Sequence, residues 1–174
     1  MKQNQNQNLQ KLTLAALLTA FTTVATLVIQ IPSPTKGYLN LGDCLVNISA
    51  WILGPAYGAA AAGIGSALAD LISGYMVFAP ATLIIKALMA LASYHIYHRL
   101  CEKSGSFWAR ITAACVAEII MTAGYVGFEA VMYGSFAAAV IGVPTDLVQG
   151  IMGVASSVTL YELVLKRIPT LHFK

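Results

Sequence analysis

Seven ionisable side chains interrupt stretches of sequence that are otherwise almost wholly apolar. They are Asp43, Asp70, Lys86, Glu118, Glu129, Asp146 and Glu162. Each would cost roughly 2.5 to 3.5 kcal/mol at the centre of a bilayer, so in a membrane helix such groups face the protein interior or reach an interface. Carboxylates and an ammonium gathered in one interior are suited to hold a small polar solute by hydrogen bonds and charge.

Polar side chains stand one helical turn from three of these charges, on the same helix faces. Rings and amides from the neighbouring loop and helices, including Trp51, can add stacking and hydrogen bonds. We therefore predict a substrate-binding set of Tyr38, Asn40, Asp43, Asn47, Asp70, Tyr75, Lys86, Tyr125, Glu129, Asp146 and Gln149.

The composition shows what kind of molecule must position these residues. The 174 residues are 58% hydrophobic and 10% charged, with a mean hydropathy of +0.74, whereas soluble domains carry roughly 25% charged residues. This excludes a soluble globule and predicts an all-α membrane protein formed by one compact domain. The three cysteines are widely spaced and form no ligand motif, so we expect neither a metal nor a cofactor.

Six apolar segments predict six transmembrane helices. They cover residues 12–29, 43–53, 56–73, 81–100, 108–133 and 143–165, with a polar loop predicted at 101–107 and a turn at 134–142. The predicted domain organisation is a polar tail (1–11), a six-helix membrane domain (12–167) and a second tail (168–174). The alternative for the first segment is a cleaved signal peptide, but its apolar run is longer than the usual 7 to 15 residues. The short second segment ends at Gly54-Pro55, and interrupted segments often line a cavity.

The basic residues predict the orientation. Eight lie on one face, namely Lys2, Lys11, Arg99, Lys103, Arg110, Lys166, Arg167 and Lys174. The opposite face has only Lys36, so the positive-inside bias puts both termini in the cytoplasm. Five ionisable groups on five helices then fall in the outer third of the membrane.

Two interpretations of the charges stay open. Lys86 could pair with Asp70 or Asp146 only to hold helices together, although four carboxylates against one lysine exceed what a structural network needs. For Glu118, near mid-membrane, a core hydrogen bond and a ligand contact are equally compatible with the sequence.

A pair of small residues on the first segment predicts a docking face. Ala16-x-x-x-Ala20 lies on a helix without charges, and small residues at this spacing let another helix approach closely. The sequence has no Walker lysine loop, no H-E-x-x-H and no G-x-S-x-G, so we expect neither an enzyme nor an ATP site of its own. We expect lipid around the chain and no nucleic-acid partner.

Four stretches together resemble the substrate-binding (S) component of an energy-coupling factor (ECF) vitamin transporter, in the riboflavin-type or unassigned subgroup. They are GYLNLGD at 37–43, LGPAYG at 53–58, GIGSALADL at 63–71, and Tyr75 with APATLIIK at 79–86. The resemblance implies a prokaryotic plasma membrane, a transmembrane T component and two ATPase subunits as motor, and an S component that topples to deliver its vitamin. It also implies that Ala16 and Ala20 meet the T component.

The resemblance further implies that the loop with Tyr38 and Asn40 covers the outer pocket. Asp43, Asp70 and Lys86 match motif positions. The assignment of Glu129, Asp146 and Gln149 to the site depends only on their depth in the membrane. A pocket of carboxylates, lysine and aromatic rings suits a small polar ring such as pyridoxine or hydroxymethylpyrimidine, with riboflavin next. The alternatives are a stand-alone ion-coupled carrier and a membrane scaffold whose charges only set helix register.

Overall fold

The apolar runs of the sequence form helices, and the computed structural model describes residues 2–35 and 37–168. The helices are α1 (Lys2–Val28), α2 (Gly42–Leu53), α3 (Pro55–Ile72), α4 (Ala79–Ser104), α5 (Ser106–Tyr133), α6 (Phe136–Val140) and α7 (Val143–Leu163). A 3₁₀ turn at Leu165–Arg167 follows α7. The strands β1 (Ile31–Pro32) and β2 (Tyr38–Leu39) pair antiparallel as a short hairpin between α1 and α2.

Four described stretches of helix are long and apolar enough to cross a membrane. They are Asn8–Val28, Ala79–Ser104, Ser106–Tyr133 and Val143–Arg167. Neither α2 nor α3 belongs to this set, so the six crossings and the cytoplasmic termini stay predictions. The Lys36 cation on which the orientation argument draws lies outside the described residues.

The short helix α2 is the centre of the bundle. All of its residues except Leu45 are buried, and α1, α3, α4 and α7 pack around it. Its 12 residues rise about 18 Å, well short of a hydrocarbon core of about 30 Å. Gly54, with a φ of 83°, ends α2 and allows the chain to turn into α3. This helix therefore brings its polar residues into the protein interior rather than to lipid.

Three boundaries differ from the sequence prediction. The polar segment predicted as a tail is helical from Lys2 and continues into α1. Residues 101–107, predicted as a polar loop, are helical apart from a break at Gly105, and α6 occupies part of the predicted turn at 134–142. A helix nucleated in an apolar run propagates at little cost through lysine, glutamine and glutamate, which are good helix formers.

Small residues allow α3 to pack tightly between α1 and α4. A Cβ added at Gly63 would lie 2.7 Å from the Leu83 carbonyl oxygen, and one at Gly65 would lie 2.7 Å from the Thr19 carbonyl oxygen. The Thr23 hydroxyl donates a hydrogen bond of 2.8 Å to the Gly65 carbonyl. This packing fixes the helix that carries Asp70.

Arg110, counted above among the cytoplasmic cations, is buried in a clamp between helices. Its guanidinium donates to Glu162 Oε1 at 3.1 and 2.5 Å and to the Tyr97 hydroxyl at 2.9 Å, and it lies 4.1 Å above the Tyr161 ring. The carboxylate and two rings replace the water around Arg110, so its charge is buried; the membrane face on which it lies stays a prediction.

Trp51 packs in the same region, with its ring centroid 5.7 Å from that of Tyr161 and 6.3 Å from that of Tyr97. It does not line the pocket described below, so its expected role as a stacking surface there is corrected.

Candidate functional site

A polar pocket lies between the β1–β2 hairpin and helices α1, α3, α4, α5 and α7. It contains about 540 Å³ of empty space, including space open to solvent. Nine of the eleven predicted binding residues line it, namely Tyr38, Asn40, Asp70, Tyr75, Lys86, Tyr125, Glu129, Asp146 and Gln149. The structure thus brings together side chains from five separate parts of the chain.

Tyr38 connects the hairpin to α3. Its hydroxyl donates a hydrogen bond of 2.5 Å to Asp70 Oδ1, and its ring centroid lies 4.7 Å from that of Tyr75. Burial, and next the hydrogen bond to Asp70, raise the pKa of Tyr38 above its ordinary value. The phenol therefore stays a hydrogen-bond donor at pH values where an exposed tyrosine begins to ionise.

Two further contacts hold the hairpin over the pocket. The Asn40 backbone N–H donates to Gln149 Oε1 on α7 at 2.9 Å, and the Tyr133 hydroxyl on α5 donates to the Thr35 carbonyl at 2.5 Å. The hairpin is thus held by a few hydrogen bonds to α3, α5 and α7, each contributing about 0.5 to 1.5 kcal/mol, or about 1.5 to 3 kcal/mol where the acceptor is the Asp70 carboxylate. The burial of Leu39, which is 5% exposed, adds to them.

The buried ion pair between Lys86 and Asp43 forms the pocket floor. Lys86 is 2% exposed and Asp43 0%, and Gln149 Nε2 donates to Asp43 Oδ2 at 2.6 Å. The lysine therefore pairs with Asp43 on α2, and with neither of the two carboxylates that the sequence put forward as its structural partners.

The other two predicted binding residues, Asp43 and Asn47, lie beneath the lining. Asn47 Nδ2 donates to the Asp43 carbonyl at 3.2 Å and to Glu118 Oε1 at 3.3 Å, and the Ser93 hydroxyl donates to Asn47 Oδ1 at 2.8 Å. The polar network therefore continues from the pocket floor into the centre of the bundle. This position suits Asn47 and Asp43 to orient Lys86 and Gln149 rather than to touch a ligand.

Two buried polar atoms in the pocket wall, a carboxylate oxygen and a hydroxyl, have no hydrogen-bond partner within the described residues. They are Asp70 Oδ2 and Ser66 Oγ, which belong to residues four positions apart on α3, so their side chains share one face. An unsatisfied buried acceptor costs about 1 to 3 kcal/mol. A ligand that brought hydrogen-bond donors to this wall would recover that free energy.

Seven lining residues were not predicted from the sequence. They are Thr26, Ser33, Thr35, Gly37, Ser66, Phe78 and Thr82. Ser66 and Thr82 stand one helical turn before Asp70 and Lys86, so the spacing that identified the other polar neighbours also applies to them. Thr26 carries no such signal, because the apolar segment 12–29 has no charge to mark the inward face.

The docking pair predicted on α1 lies at the surface. Ala16 and Ala20 are both exposed, whereas Ala15 and Leu18 on the other face are buried in the core. Within residues 2–35 and 37–168, no three His, Cys, Asp or Glu side chains come together in a way that would hold a metal ion.

The family model described as "ECF-type riboflavin transporter, S component" matches residues 6–167. A protein of Pyrococcus woesei described as "Uncharacterized protein in gap 3'region" is 36% identical over 148 residues, which cover 84% of this chain and 95% of that protein.

The fold also has a counterpart among solved structures. A structure described as "Structure and mechanism of the S component of a bacterial ECF transporter" superposes with a TM-score of 0.75 at 22% sequence identity. The match covers 94% of this chain and 99% of the other. At this level of identity the likeness concerns the arrangement of the helices.

Proposed function

Because this chain belongs to the ECF-type riboflavin transporter S component family, we propose that it binds riboflavin in the polar pocket and delivers it inward for an ATP-driven transporter. The family is that of a transporter's substrate-binding subunit and not of an enzyme. Its description supports riboflavin over pyridoxine and hydroxymethylpyrimidine, which the residue types alone ranked first.

The unpaired polar atoms on α3 are the observation that carries the proposal. Asp70 Oδ2 requires a donor and the Ser66 hydroxyl a partner of either kind, and riboflavin offers an imide N–H and carbonyls on its ring and hydroxyls on its ribityl chain. The rings of Tyr38, Tyr75 and Phe78 stand in sequence along the wall, with adjacent centroids 4.7 and 6.4 Å apart. Such a wall suits a flat aromatic ligand, because offset or tilted ring contacts add about 0.5 to 1.5 kcal/mol to the area buried.

Riboflavin fluorescence tests this binding directly. Purified protein in detergent, without ATP, should quench the fluorescence of the vitamin at one equivalent. Asp70→Asn should weaken binding about tenfold to a hundredfold, because hydrogen bonds to charged groups contribute about 1.5 to 3 kcal/mol. Thr13→Ala, on the exposed end of α1, is the control and should bind as the unaltered protein does. Tight binding of pyridoxine or hydroxymethylpyrimidine, with none of riboflavin, would assign the pocket to another vitamin.

The motor in this proposal is a T component with two ATPase subunits, docked on α1. Ala16→Trp and Ala20→Trp would each place a large ring on the exposed small-residue face and should abolish uptake while riboflavin binding persists. Val131→Trp, at an exposed position on α5, is the control and should transport normally. Normal uptake by both alanine variants would refute docking at this face.

The proposed setting is the plasma membrane of a prokaryotic cell, with six crossings and both termini in the cytoplasm. Liposomes containing this chain alone should show no riboflavin uptake under proton or sodium gradients, because the family works with a separate motor. Gradient-driven uptake by the chain alone would support a stand-alone carrier in its place.

A further inference from the structure

A second cavity lies between α5, α6 and α7, and it differs from the polar pocket in chemistry. It encloses about 1,380 Å³ of empty space, including space open to the surroundings. Its walls are almost wholly apolar and include the exposed side chains of Ile119, Leu147 and Ile151. We call it the α5–α7 groove, and since α5 and α7 are candidate membrane spans, it opens toward lipid.

Glu118 is a buried carboxyl group in these largely apolar walls. It is 6% exposed and lines the α5–α7 groove. Its Oε1 accepts the hydrogen bond from Asn47, whereas its Oε2 has no partner within the described part of the chain. The described residues thus supply no hydrogen-bond donor for Oε2. A buried acceptor without a donor is costly.

Two glycines on α7 create the space around this carboxyl group. A Cβ added at Gly150 would lie 3.1 Å from Glu118 Cβ and 3.8 Å from Oε2, and one at Gly153 would lie 2.6 Å from Oε1. Any larger residue at these positions would press on the carboxyl group. The glycines of α7 therefore leave just enough room for the buried carboxyl group at the point where the groove meets the polar core.

The charge balance indicates what kind of donor is missing. Asn47 bridges Glu118 to Asp43, and Asp43 pairs with Lys86. Among the described residues of this network, two carboxyl groups therefore share one ammonium group. Asp146, which lines both the groove and the polar pocket, adds a further carboxyl group to the groove. The walls complement an apolar body that carries one positively charged donor.

We propose that the α5–α7 groove is a second ligand site, which binds an amphiphilic primary or secondary ammonium whose N–H donates to Glu118 Oε2. A lipid acyl chain fills apolar space but leaves Oε2 without a donor. The side chains of Phe136 and Val140 on α6 flank the groove and make it a concave cavity rather than a flat helix face. Concave apolar cavities with a few polar groups are typical sites for small ligands.

Photo-labelling of the full-length protein in nanodiscs of neutral lipid tests this proposal. The probe is a twelve-carbon primary alkylammonium with a diazirine in its chain, and the matched neutral probe ends in a methyl ether. We expect the ammonium probe to label residues 115–126 and 143–155 saturably. Glu118→Gln, which keeps size and the acceptor for Asn47 but removes the charge, should reduce this labelling at least tenfold.

Two tryptophan variants separate the groove from the rest of the surface. Ala123→Trp fills the groove from an exposed position in its wall and should abolish labelling while riboflavin binding persists. Val131→Trp, farther along α5 and outside the groove, should label normally. Because Ala123→Trp leaves the polar network intact, it also serves if Glu118→Gln folds poorly.

Three results would overturn the proposal. Equal labelling of Glu118→Gln and the unaltered protein would show that the groove takes only apolar chains. Labelling that does not saturate would show that no site exists, and labelling that appears only after a self-associated complex is dissociated would show a helix interface. Riboflavin binding, measured on the same preparations, is independent of these outcomes, so a failure of the vitamin assignment is distinguished from a failure of this one.

Discussion

Replacement of Lys86 by methionine tests the network that forms the floor of the polar pocket. Methionine is close to lysine in length and lacks its charge, so the change removes the ammonium while largely preserving packing. Asp43, which is 0% exposed, then keeps only the hydrogen bond from Gln149 Nε2 at 2.6 Å. Its negative charge lies in the protein interior without a counter-ion in contact.

The expected cost follows from that burial. Breaking a buried ion pair by removing one partner costs about 3 to 5 kcal/mol, and we expect about 3 kcal/mol because the Gln149 hydrogen bond remains. For a chain of this length, about 2 to 4 °C of melting temperature corresponds to 1 kcal/mol. The Lys86→Met protein should therefore melt roughly 6 to 12 °C below the unaltered protein.

A second substitution shows whether the uncompensated charge is the cause. The double variant Lys86→Met/Asp43→Asn removes both charges, and asparagine still offers an oxygen to Gln149. It should recover most of the lost stability, whereas Lys103→Met, at an exposed position in the last turn of α4, should change little. Thermal unfolding in detergent, followed by size-exclusion chromatography, measures all three variants.

Two outcomes would refute this reasoning. If Lys86→Met melts with the unaltered protein, the buried pair contributes no net stability, and if the double variant melts with the single one, the cause is not the charge of Asp43. Riboflavin binding by the double variant then shows whether Lys86 only supports the pocket or also contacts the ligand. A stable double variant that no longer binds riboflavin would show that Lys86 itself touches the ligand.

Three further changes test other parts of the structure. Tyr38→Phe removes the donor to Asp70 Oδ1 and should speed riboflavin dissociation about tenfold, for a loss of about 1.4 kcal/mol; an unchanged rate in stopped-flow fluorescence would contradict the role of the hairpin as a cover. Gly153→Ala puts a methyl group 2.6 Å from Glu118 Oε1 and should cost about 1 to 3 kcal/mol of stability, which thermal unfolding would show. Arg110→Met removes the guanidinium at the other end of the bundle, where Glu162 keeps its ion pair with Lys166 at 2.9 Å, and should lower stability by about 1 to 3 kcal/mol without changing riboflavin affinity; a large loss of affinity would show that this clamp acts on the pocket.

The convergence of charges could be predicted because lipid is so poor a solvent for them. Asp70, Lys86 and Glu129 had to face inward, and three inward faces at similar depth leave little room except a common centre. The depth of a residue along its helix does not give the rotation of the helix about its axis. The sequence therefore could not tell which of several carboxylates Lys86 pairs with, and Asp43 was not among the partners considered.

The hairpin and the ends of the helices could not be predicted from the sequence, for two different reasons. Strands of two residues, such as those at Ile31 and Tyr38, are too short for alternation to show in the sequence. The connection at 101–107 was predicted as a loop from its polar residues, although lysine and glutamate favour helix and only Gly105 breaks it. The polarity of a segment indicates that it contacts water or lipid headgroups, but it does not determine whether its backbone is helical.

Lys86 is paired with Asp43, and the other charged groups of the pocket wall are all acidic. Asp70, Glu129 and Asp146 line it, and no other basic residue does so among the described residues. Such a wall favours a neutral ligand rich in hydrogen-bond donors and repels an anion. Riboflavin should therefore bind at least tenfold more tightly than its phosphate ester in the fluorescence assay, and the difference should shrink at high salt as the charges are screened. Equal affinities would mean that Lys86 leaves Asp43 to meet the phosphate, and that the ion pair is a switch rather than a fixed floor.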